Sequence, residues 1–223
     1  MGFSRKGQVG AITVVLLTGL TIGVASVVYV WGEPILNKRE SASNLDSVER
    51  KVLDLRGELM RVSRSEGASS TVDMSVDIED YSFQLIQVNE SSDYIDMVVE
   101  ASESPYPDGE WTMLKGDNFQ NLSITGGDYA IQGEDKGSVL LVKPQSSVIV
   151  YRIEFRNLYS GDGDGPALSK VDLQSSGSSV ASGGSDVFLR NTGAEVDRGS
   201  DGLTISTGET LNRRRTTLEV DLR

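Results

Sequence analysis

The chain has 223 residues, which is enough for one domain of ordinary size with additional segments. It contains no cysteine and no histidine, so disulfides, thiolate metal sites and the commonest general base are excluded. The formal net charge of −12 predicts no nucleic-acid partner, because binding to phosphates depends on an excess of Lys and Arg. We therefore expect a protein that is not an enzyme and holds no cofactor.

The first predicted element is an apolar helix. Residues 9–31 contain no charged residue, and a helix of this length measures about 35 Å, enough to cross the hydrocarbon core of a membrane. Arg5 and Lys6 precede it, so the positive-inside rule predicts a cytoplasmic N-terminus and an extracellular C-terminal domain. We expect a single-pass helix in the cell membrane over residues 8–32. A secretory signal peptide cut near Ala25 is the less favoured alternative, since the apolar run exceeds the usual length of about 15 residues.

Two glycines within this helix have the spacing of a helix-packing motif. Gly19 and Gly23 lie about one turn apart in a G-x-x-x-G pattern. Small residues at this spacing let two helices approach closely, which predicts association between helices. Glycine is also common in membrane helices without such a role, so both interpretations stay open.

A helix with an apolar stripe is predicted over residues 33–66. Apolar residues recur there at alternating spacings of 3 and 4, which places them on one helix face. They are Leu45, Val48, Val52, Leu55, Leu59 and Val62. The stripe packs either on the globular domain of the same chain or on neighbouring copies, and both alternatives are open. Pro34 is expected to kink or interrupt the helix, and Gly67 is expected to end it.

The pattern then changes to short strands. Alternation of apolar and polar residues predicts strands over residues 72–78, 81–88, 94–100, 110–114, 128–132, 138–143, 147–157, 168–174, 186–190, 202–206 and 216–222. Breaks rich in Gly, Asp, Ser and Pro indicate an antiparallel β-sandwich over residues 67–223. The Ser- and Gly-rich residues 175–185 are expected to form an exposed, mobile loop. The predicted fold class is therefore α+β: a long N-terminal α-helix, membrane-spanning and then amphipathic, followed by an antiparallel β-sandwich-like domain.

Two kinds of short motif suggest modification or metal binding. Asn89 and Asn121 begin N-x-S sequons in the part expected to face outward, so both are possible glycosylation sites. Asp162 and Asp164 lie in a Gly-rich turn and are weak candidates for a calcium site. They lack the full spacing of a calcium-binding loop, so a solvated turn is the favoured interpretation and no metal is expected.

The chain has one run of consecutive arginines, Arg213, Arg214 and Arg215. A site for a polyanion is one interpretation of this run. A hairpin tip that balances the acidic surface is the favoured one. No phosphate-binding loop, dinucleotide-binding fingerprint or nucleophile elbow occurs in the sequence, which agrees with a non-enzymatic protein.

The residues just before the apolar helix carry a resemblance to a known family. Arg5, Lys6, Gly7 and Gln8, followed directly by the long apolar helix, resemble the class III signal of archaeal type IV pilins and archaellins. The resemblance implies that a prepilin peptidase cuts between Gly7 and Gln8, so that residues 1–7 are a leader and the helix stays with the mature protein. Cutting there would remove the two basic residues and leave the apolar helix available to pack in a filament core.

One position departs from the pattern of that family. Many type IV pilins carry a Glu five positions into the mature helix, where this chain has Ile12. Archaellins also lack that Glu, so the departure weakens only the expectation of a major, filament-building subunit.

The resemblance implies a pilin-like structural subunit of an archaeal type IV pilus or archaellum-type surface filament. Its expected partners are the membrane, the prepilin peptidase, copies of itself or other pilin-like subunits, and the surface layer. The alternative is a single-pass anchored ectodomain that never polymerises and serves as an envelope binding module or an archaellum stator that binds the surface layer.

Overall fold

The structure of the protein is a computed structural model. It describes the backbone of residues 5–76, 82–101, 104–116, 119–123, 129–133, 137–159, 168–198, 203–204 and 210–223. Side chains are described for residues 13–27, 29–30, 43–76, 82–101, 104–116, 137–158, 168–198 and 212–223. The chain divides into two compact units, Met1–Ser43 and Asn44–Arg223.

The first element is the helix α1, Arg5–Ser63. Its backbone is helical through Pro34, so the prediction that this proline interrupts the helix is wrong. A proline removes only one N–H donor from the helix, and tertiary or neighbouring helical hydrogen bonds can sustain the rest. After Ser63 the chain leaves the helix, and Gly67 has a positive φ of 76°, a conformation that glycine adopts without steric cost.

In the part of the chain that the structure describes, fifteen strands follow the helix. They are β1 (Ser69–Val72), β2 (Phe83–Asn89), β3 (Tyr94–Glu100), β4 (Thr112–Lys115), β5 (Phe119–Ser123), β6 (Tyr129–Gly133), β7 (Ser138–Gln145), β8 (Val148–Phe155), β9 (Asn157–Tyr159), β10 (Leu168–Ser175), β11 (Val180–Ser182), β12 (Val187–Asp197), β13 (Leu203–Thr204), β14 (Thr210–Leu211) and β15 (Arg213–Leu222). One sheet has the strand order β1-β12-β15-β10-β9-β6-β5, and a second has the order β11-β2-β3-β8-β7-β4. Strands β13 and β14 form a small separate pair.

The predicted α+β fold class is wrong. The protein is mostly β, with two large sheets in a sandwich-like arrangement. In the described part of the chain, no helix is long and apolar enough to cross a membrane. The predicted membrane-spanning helix, the cell-membrane location and the pilin-like and archaellin-like description are therefore not supported.

The sandwich is also not purely antiparallel, as the sequence had suggested. Strands β10 and β15 pair in parallel over eight residues, from Leu168 opposite Arg213 to Ser175 opposite Val220. Strands β6 and β9 form a second parallel pair. The residues of a strand alternate in the same way in both arrangements, so alternation alone does not reveal strand direction.

The Ser- and Gly-rich segment at residues 175–185 contains a strand where a mobile loop was predicted. Strand β11 pairs antiparallel with β2, and the amide of Val88 donates to the carbonyl of Ser179 at 2.8 Å. Backbone groups make these bonds, so an edge strand can form from residues whose side chains give no strand signal. The prediction of a loop over this whole segment is wrong.

The stripe on α1 belongs to the core of its own chain. Its six residues, from Leu45 to Val62, are each at most 3% exposed. They share one apolar cluster with inward residues of both large sheets, including Tyr151 of β8 and Leu218 of β15. Of the two alternatives left open by the sequence, the structure shows packing within the chain.

A buried asparagine joins the end of α1 to the seven-stranded sheet. The side-chain amide of Asn191 on β12 donates to the carbonyls of Val62 and Ser63, at 3.0 and 3.1 Å. Its carbonyl oxygen accepts from the amide of Gly193 at 3.0 Å, across a β-bulge between the two residues. The last carbonyls of a helix lack the usual donor four residues on, so this side chain gives the Ser63 carbonyl a donor and adds a second one to the Val62 carbonyl, which also accepts from the amide of Ser65 at 3.3 Å.

We predict that Asn191→Ala lowers the free energy of unfolding by about 1–3 kcal/mol, because the Ser63 carbonyl loses the bond from Asn191 and the Val62 carbonyl keeps only the 3.3 Å bond from the amide of Ser65. Urea unfolding followed by circular dichroism measures the change. The neighbouring Thr192→Ala is the control, since the exposed Thr192 hydroxyl makes one long bond of 3.3 Å to Thr217. Equal losses in the two variants would contradict the capping role.

Candidate assembly surface

The apolar part of α1 exposes large side chains in the described structure. Ten of them are between 56% and 71% exposed within the chain: Val14, Val15, Leu16, Leu17, Leu20, Ile22, Val24, Val27, Tyr29 and Val30. Four consecutive positions, from Val14 to Leu17, span a full turn, so the exposed surface surrounds the helix. A helix that is apolar all round is stable where it is buried on all sides, and we call residues 13–30 the apolar segment.

Three hydroxyl groups of the apolar segment bond to their own helix. Thr18 donates to the carbonyl of Val14 at 2.8 Å, and Ser26 donates to the carbonyl of Ile22 at 2.8 Å. The Thr21 hydroxyl lies 2.9 Å from the carbonyls of both Leu17 and Thr18. The hydroxyls therefore need no water molecule as an acceptor for their protons, which reduces the cost of burying the segment against another surface.

The two glycines of the predicted packing motif lie within the apolar segment. No side chain or distant backbone atom lies within 4 Å of the position that a Cβ would occupy on Gly19 or Gly23. The surface there is open, so another helix can approach the α1 backbone closely at these two points.

The residues of the predicted leader lie at the start of α1. The helix begins at Arg5, and Lys6, Gly7 and Gln8 are in its first turns. Their side chains lie outside the described part of the structure, and cleavage after Gly7 stays a prediction.

The two predicted glycosylation sites fall in different surroundings. Asn89 ends β2, where its side-chain amide donates to the Tyr94 hydroxyl at 3.0 Å and its oxygen accepts from the amide of Ser92 at 3.0 Å. Asn121 lies in β5, and its side chain is outside the described residues. Glycosylation of both stays a prediction.

The weak calcium candidate, Asp162 and Asp164, lies outside the described residues. Among the residues that the structure does describe, no group of three or more carboxylates is placed to hold a metal ion.

The arginine run lies within strand β15, so the predicted hairpin tip is wrong. Arg215 donates to Asp197 at 2.7 Å and to Asp172 at 3.2 Å, and Arg213 donates to Asp197 at 3.1 Å. The Arg215 hydrogen bond, followed by that of Arg213, holds the pKa of the Asp197 carboxyl below its usual value. Arg214 falls between them in the strand and points to the opposite face.

The Glu49 carboxylate on α1 accepts hydrogen bonds from two tyrosines that lie far from it in the sequence. The hydroxyl of Tyr106 donates to Glu49 at 2.6 Å, and that of Tyr151 lies 3.4 Å from the same oxygen. Burial, and then the bond to Glu49, raises the pKa of the Tyr106 hydroxyl above its usual value. These hydrogen bonds connect the loop before β4 and strand β8 to the helix. They therefore help to hold α1 against the six-stranded sheet.

An arginine on the six-stranded sheet stacks on two aromatic rings. The Arg152 guanidinium lies 3.8 Å from the centre of the Tyr94 ring and 4.7 Å from that of Trp111. It also donates twice to Asp96, at 2.7 Å each, so its charge is already balanced. Sequence reasoning missed this cluster because its members come from three strands or loops far apart in the chain.

Comparison with known proteins gave no similarity: no family model, curated protein or solved structure matches the chain. The candidate surface therefore depends on the exposed apolar segment and its internal hydrogen bonds alone.

We predict that Asp197→Asn lowers the free energy of unfolding by about 1 kcal/mol at pH 7, a value suited to a partly exposed ion pair. The folded-state pKa of Asp197 is lowered, so its contribution is complete above the unfolded pKa of about 3.9 and is lost as the pH falls through the folded pKa. The difference between the variant and the wild type should therefore become smaller as the pH is lowered from 7 to 2. Urea unfolding at both pH values measures it.

The control for this experiment is Glu195→Gln. Glu195 is 83% exposed and lies 3.8 Å from Arg215, so its removal should change stability little at either pH. A destabilisation by Asp197→Asn that is the same at pH 7 and pH 2 would show that the charge of Asp197 is not what stabilises the sheet.

Proposed function

We propose that this chain is a non-enzymatic structural subunit of a filament, and that the apolar segment packs against the same segment of neighbouring copies. The observation that carries the proposal is the set of ten large apolar side chains on this segment, each more than half exposed within the chain. Burial of one such side chain contributes about 1.5–3 kcal/mol. Several of them together are enough to hold copies in a polymer.

The polar groups of the segment support the same proposal. Because Thr18, Thr21 and Ser26 donate within the helix, dry packing between helices leaves these donors satisfied. Gly19 and Gly23 add two places where helix backbones can come close.

The contrast with the stripe also supports an assembly role for the apolar segment. The stripe from Leu45 to Val62 is buried in the core of residues 44–223. The core of that unit is buried without help from another copy. Contacts between copies are therefore expected at the apolar segment, which has no such cover among the described residues.

We predict that Leu16→Gln with Leu20→Gln reduces the assembled fraction of the full chain at least about tenfold, since two buried leucines contribute several kcal/mol. Sedimentation and negative-stain electron microscopy measure assembly. The matched control is Val180→Gln with Val196→Gln, at two valines of the sandwich that are 42% and 39% exposed. The thermal unfolding of both variants should match that of the wild type.

A wild-type chain that stays monomeric at all concentrations would contradict this proposal. So would equal assembly of the wild type and of the variant with polar residues at positions 16 and 20. If only the variant with polar residues at positions 180 and 196 lost assembly, the contact between copies would lie on the sandwich and not on the apolar segment.

The predicted leader gives a second test. By its resemblance to a class III signal, a peptidase of the prepilin type would remove residues 1–7, so the native chain should begin at Gln8 in intact-mass measurements. Gly7→Val should leave residues 1–7 in place, whereas Gly2→Val, the control, should still be cut. Native material that begins downstream of Trp31 would lack the apolar segment and would contradict both the leader and the filament.

A further inference from the structure

A cavity of about 290 Å³ lies within the second unit, Asn44–Arg223. Its wall includes the end of α1 and residues of β10 and β15. We call it the arginine cavity and define it by Ser63, Arg64, Ser169, Arg214 and Thr216. A volume near 300 Å³ is at the lower end of the range for small-molecule sites.

The parallel pairing of β10 and β15 brings these side chains together. Ser169 lies opposite Arg214, and two residues further on Val171 lies opposite Thr216. The next pair on the same face, Leu173 and Leu218, is buried in the core. Alternation along both strands therefore turns Ser169 and Arg214 toward the inner side of the sheet, at the margin of the core.

The cavity wall is basic in a chain with a net charge of −12. Its described lining contains Arg64, Arg156, Lys170 and Arg214, and no Asp or Glu. Two of these charges have acidic partners outside the lining. The Lys170 ammonium is 2.6 Å from Asp93, and the Arg156 guanidinium is 3.3 Å from Glu154.

The other two guanidinium groups are not balanced in this way. Among the residues that the structure describes, no carboxylate lies within ion-pair distance of Arg64 or Arg214. Arg213 and Arg215, on the other face of β15, both bind Asp197. The strand thus separates two arginines that bind a carboxylate from one that binds none among the described residues, and this exposed arginine lies beside the cavity.

The negative end of the α1 helix dipole does not prevent an anion from binding in the arginine cavity. Helix carbonyls at a C-terminus carry partial negative charge and would repel an acid group. Here the carbonyls of Val62 and Ser63 accept hydrogen bonds from the Asn191 amide, at 3.0 and 3.1 Å. These donors offset part of the negative charge of the two carbonyls, which weakens the repulsion near Arg64.

The rest of the wall combines hydroxyls with apolar groups. Ser169 and Thr216 supply hydroxyls that can both donate and accept, whereas the Ser63 hydroxyl donates to the carbonyl of Met60 at 3.1 Å. Met60 and Leu158 contribute apolar surface to the same cavity. This combination suits a ring that has hydroxyls at its edge and C–H groups on its faces.

From these observations we infer that the arginine cavity is a binding site for a hydroxylated organic anion of about monosaccharide size, with its acid group held by Arg64 and Arg214. Guanidinium groups bind carboxylate, sulfate and phosphate with charge-assisted hydrogen bonds. The hydroxyls of Ser169 and Thr216 would bind the hydroxyls of the ligand. This site is independent of the filament contact, since its residues all lie in the second unit.

Isothermal titration of the full chain with glucuronate tests the site, with glucose and inorganic sulfate as comparison probes. We expect glucuronate to bind and glucose to bind at least about tenfold more weakly, because glucose lacks the acid group. Arg64→Gln with Arg214→Gln should weaken glucuronate binding at least about tenfold. Arg190→Gln, which removes an exposed arginine of the same sheet outside the cavity, should leave binding unchanged.

Three results would overturn the inference. The first is no binding of glucuronate by the wild type. The second is an equal loss in Arg190→Gln and in the double variant, which would indicate a general effect of charge. The third is sulfate binding as tightly as glucuronate, which would remove the role assigned to the hydroxyls. Circular dichroism checks that the double variant is folded. Thr216→Val removes one hydroxyl and leaves both arginines in place, so its affinity for glucuronate tests the hydroxyl contact separately.

Discussion

Burial of the α1 stripe is the interaction on which the rest of the second unit depends. The stripe from Leu45 to Val62 fills the core that the two sheets share, and none of its residues is more than 3% exposed. Loss of one such side chain in a close-packed core costs about 2–5 kcal/mol, because the lost contacts and the cavity add together. Without the stripe, the inward residues of both sheets would lose a common partner.

The same packing determines the positions of the helix cap Asn191 and of the arginine cavity. With the stripe buried, the end of α1 is held beside β12, where Asn191 reaches the carbonyls of Val62 and Ser63. It also holds Arg64 beside the pair of strands that carries Ser169 and Arg214. The position of the arginine cavity therefore follows from the packing of an apolar helix face, although no member of that face binds the ligand.

Local periodicity accounts for what could be predicted. The 3-and-4 spacing of Leu45 to Val62 gives one helix face, and the alternation in Tyr94–Glu100 gives the inward and outward residues of β3. These patterns depend on neighbours a few residues apart, so a single sequence reveals them. Whether the stripe met its own chain or another copy was open in the sequence, because both surfaces would be apolar.

Long-range pairing accounts for what could not be predicted. Strand β11 forms because its backbone completes the edge of β2, although its Ser- and Gly-rich surroundings resemble a loop. The parallel pairing of β10 with β15 depends on the path of the chain between them, which alternation does not record. Asn191 had no signal of its own, since an asparagine in a strand becomes a helix cap only when the two elements meet.

The two parts of α1 differ in where their apolar residues lie, and this difference separates stability from assembly. Over the stripe, apolar residues occupy one face and the core covers them. Over the apolar segment they occupy all faces, and the hydroxyls of Thr18, Thr21 and Ser26 donate back to the helix. Burial of the stripe stabilises the second unit. The side chains of the apolar segment are not part of that core and do not contribute to its stability.

Strand alternation divides the arginine run in a similar way. Arg213 and Arg215 lie on the other face and bind Asp197, whose side chain is 13% exposed, so their charges are neutralised within a largely buried ion-pair cluster. Arg214 faces inward at the margin of the core, where hydroxyls and apolar groups replace acidic neighbours. Three identical residues in sequence thus have two different environments. Among the described residues, the arginine of this run that has no carboxylate within ion-pair distance is the one that lies beside the cavity, where an anion can take the place of an acidic side chain.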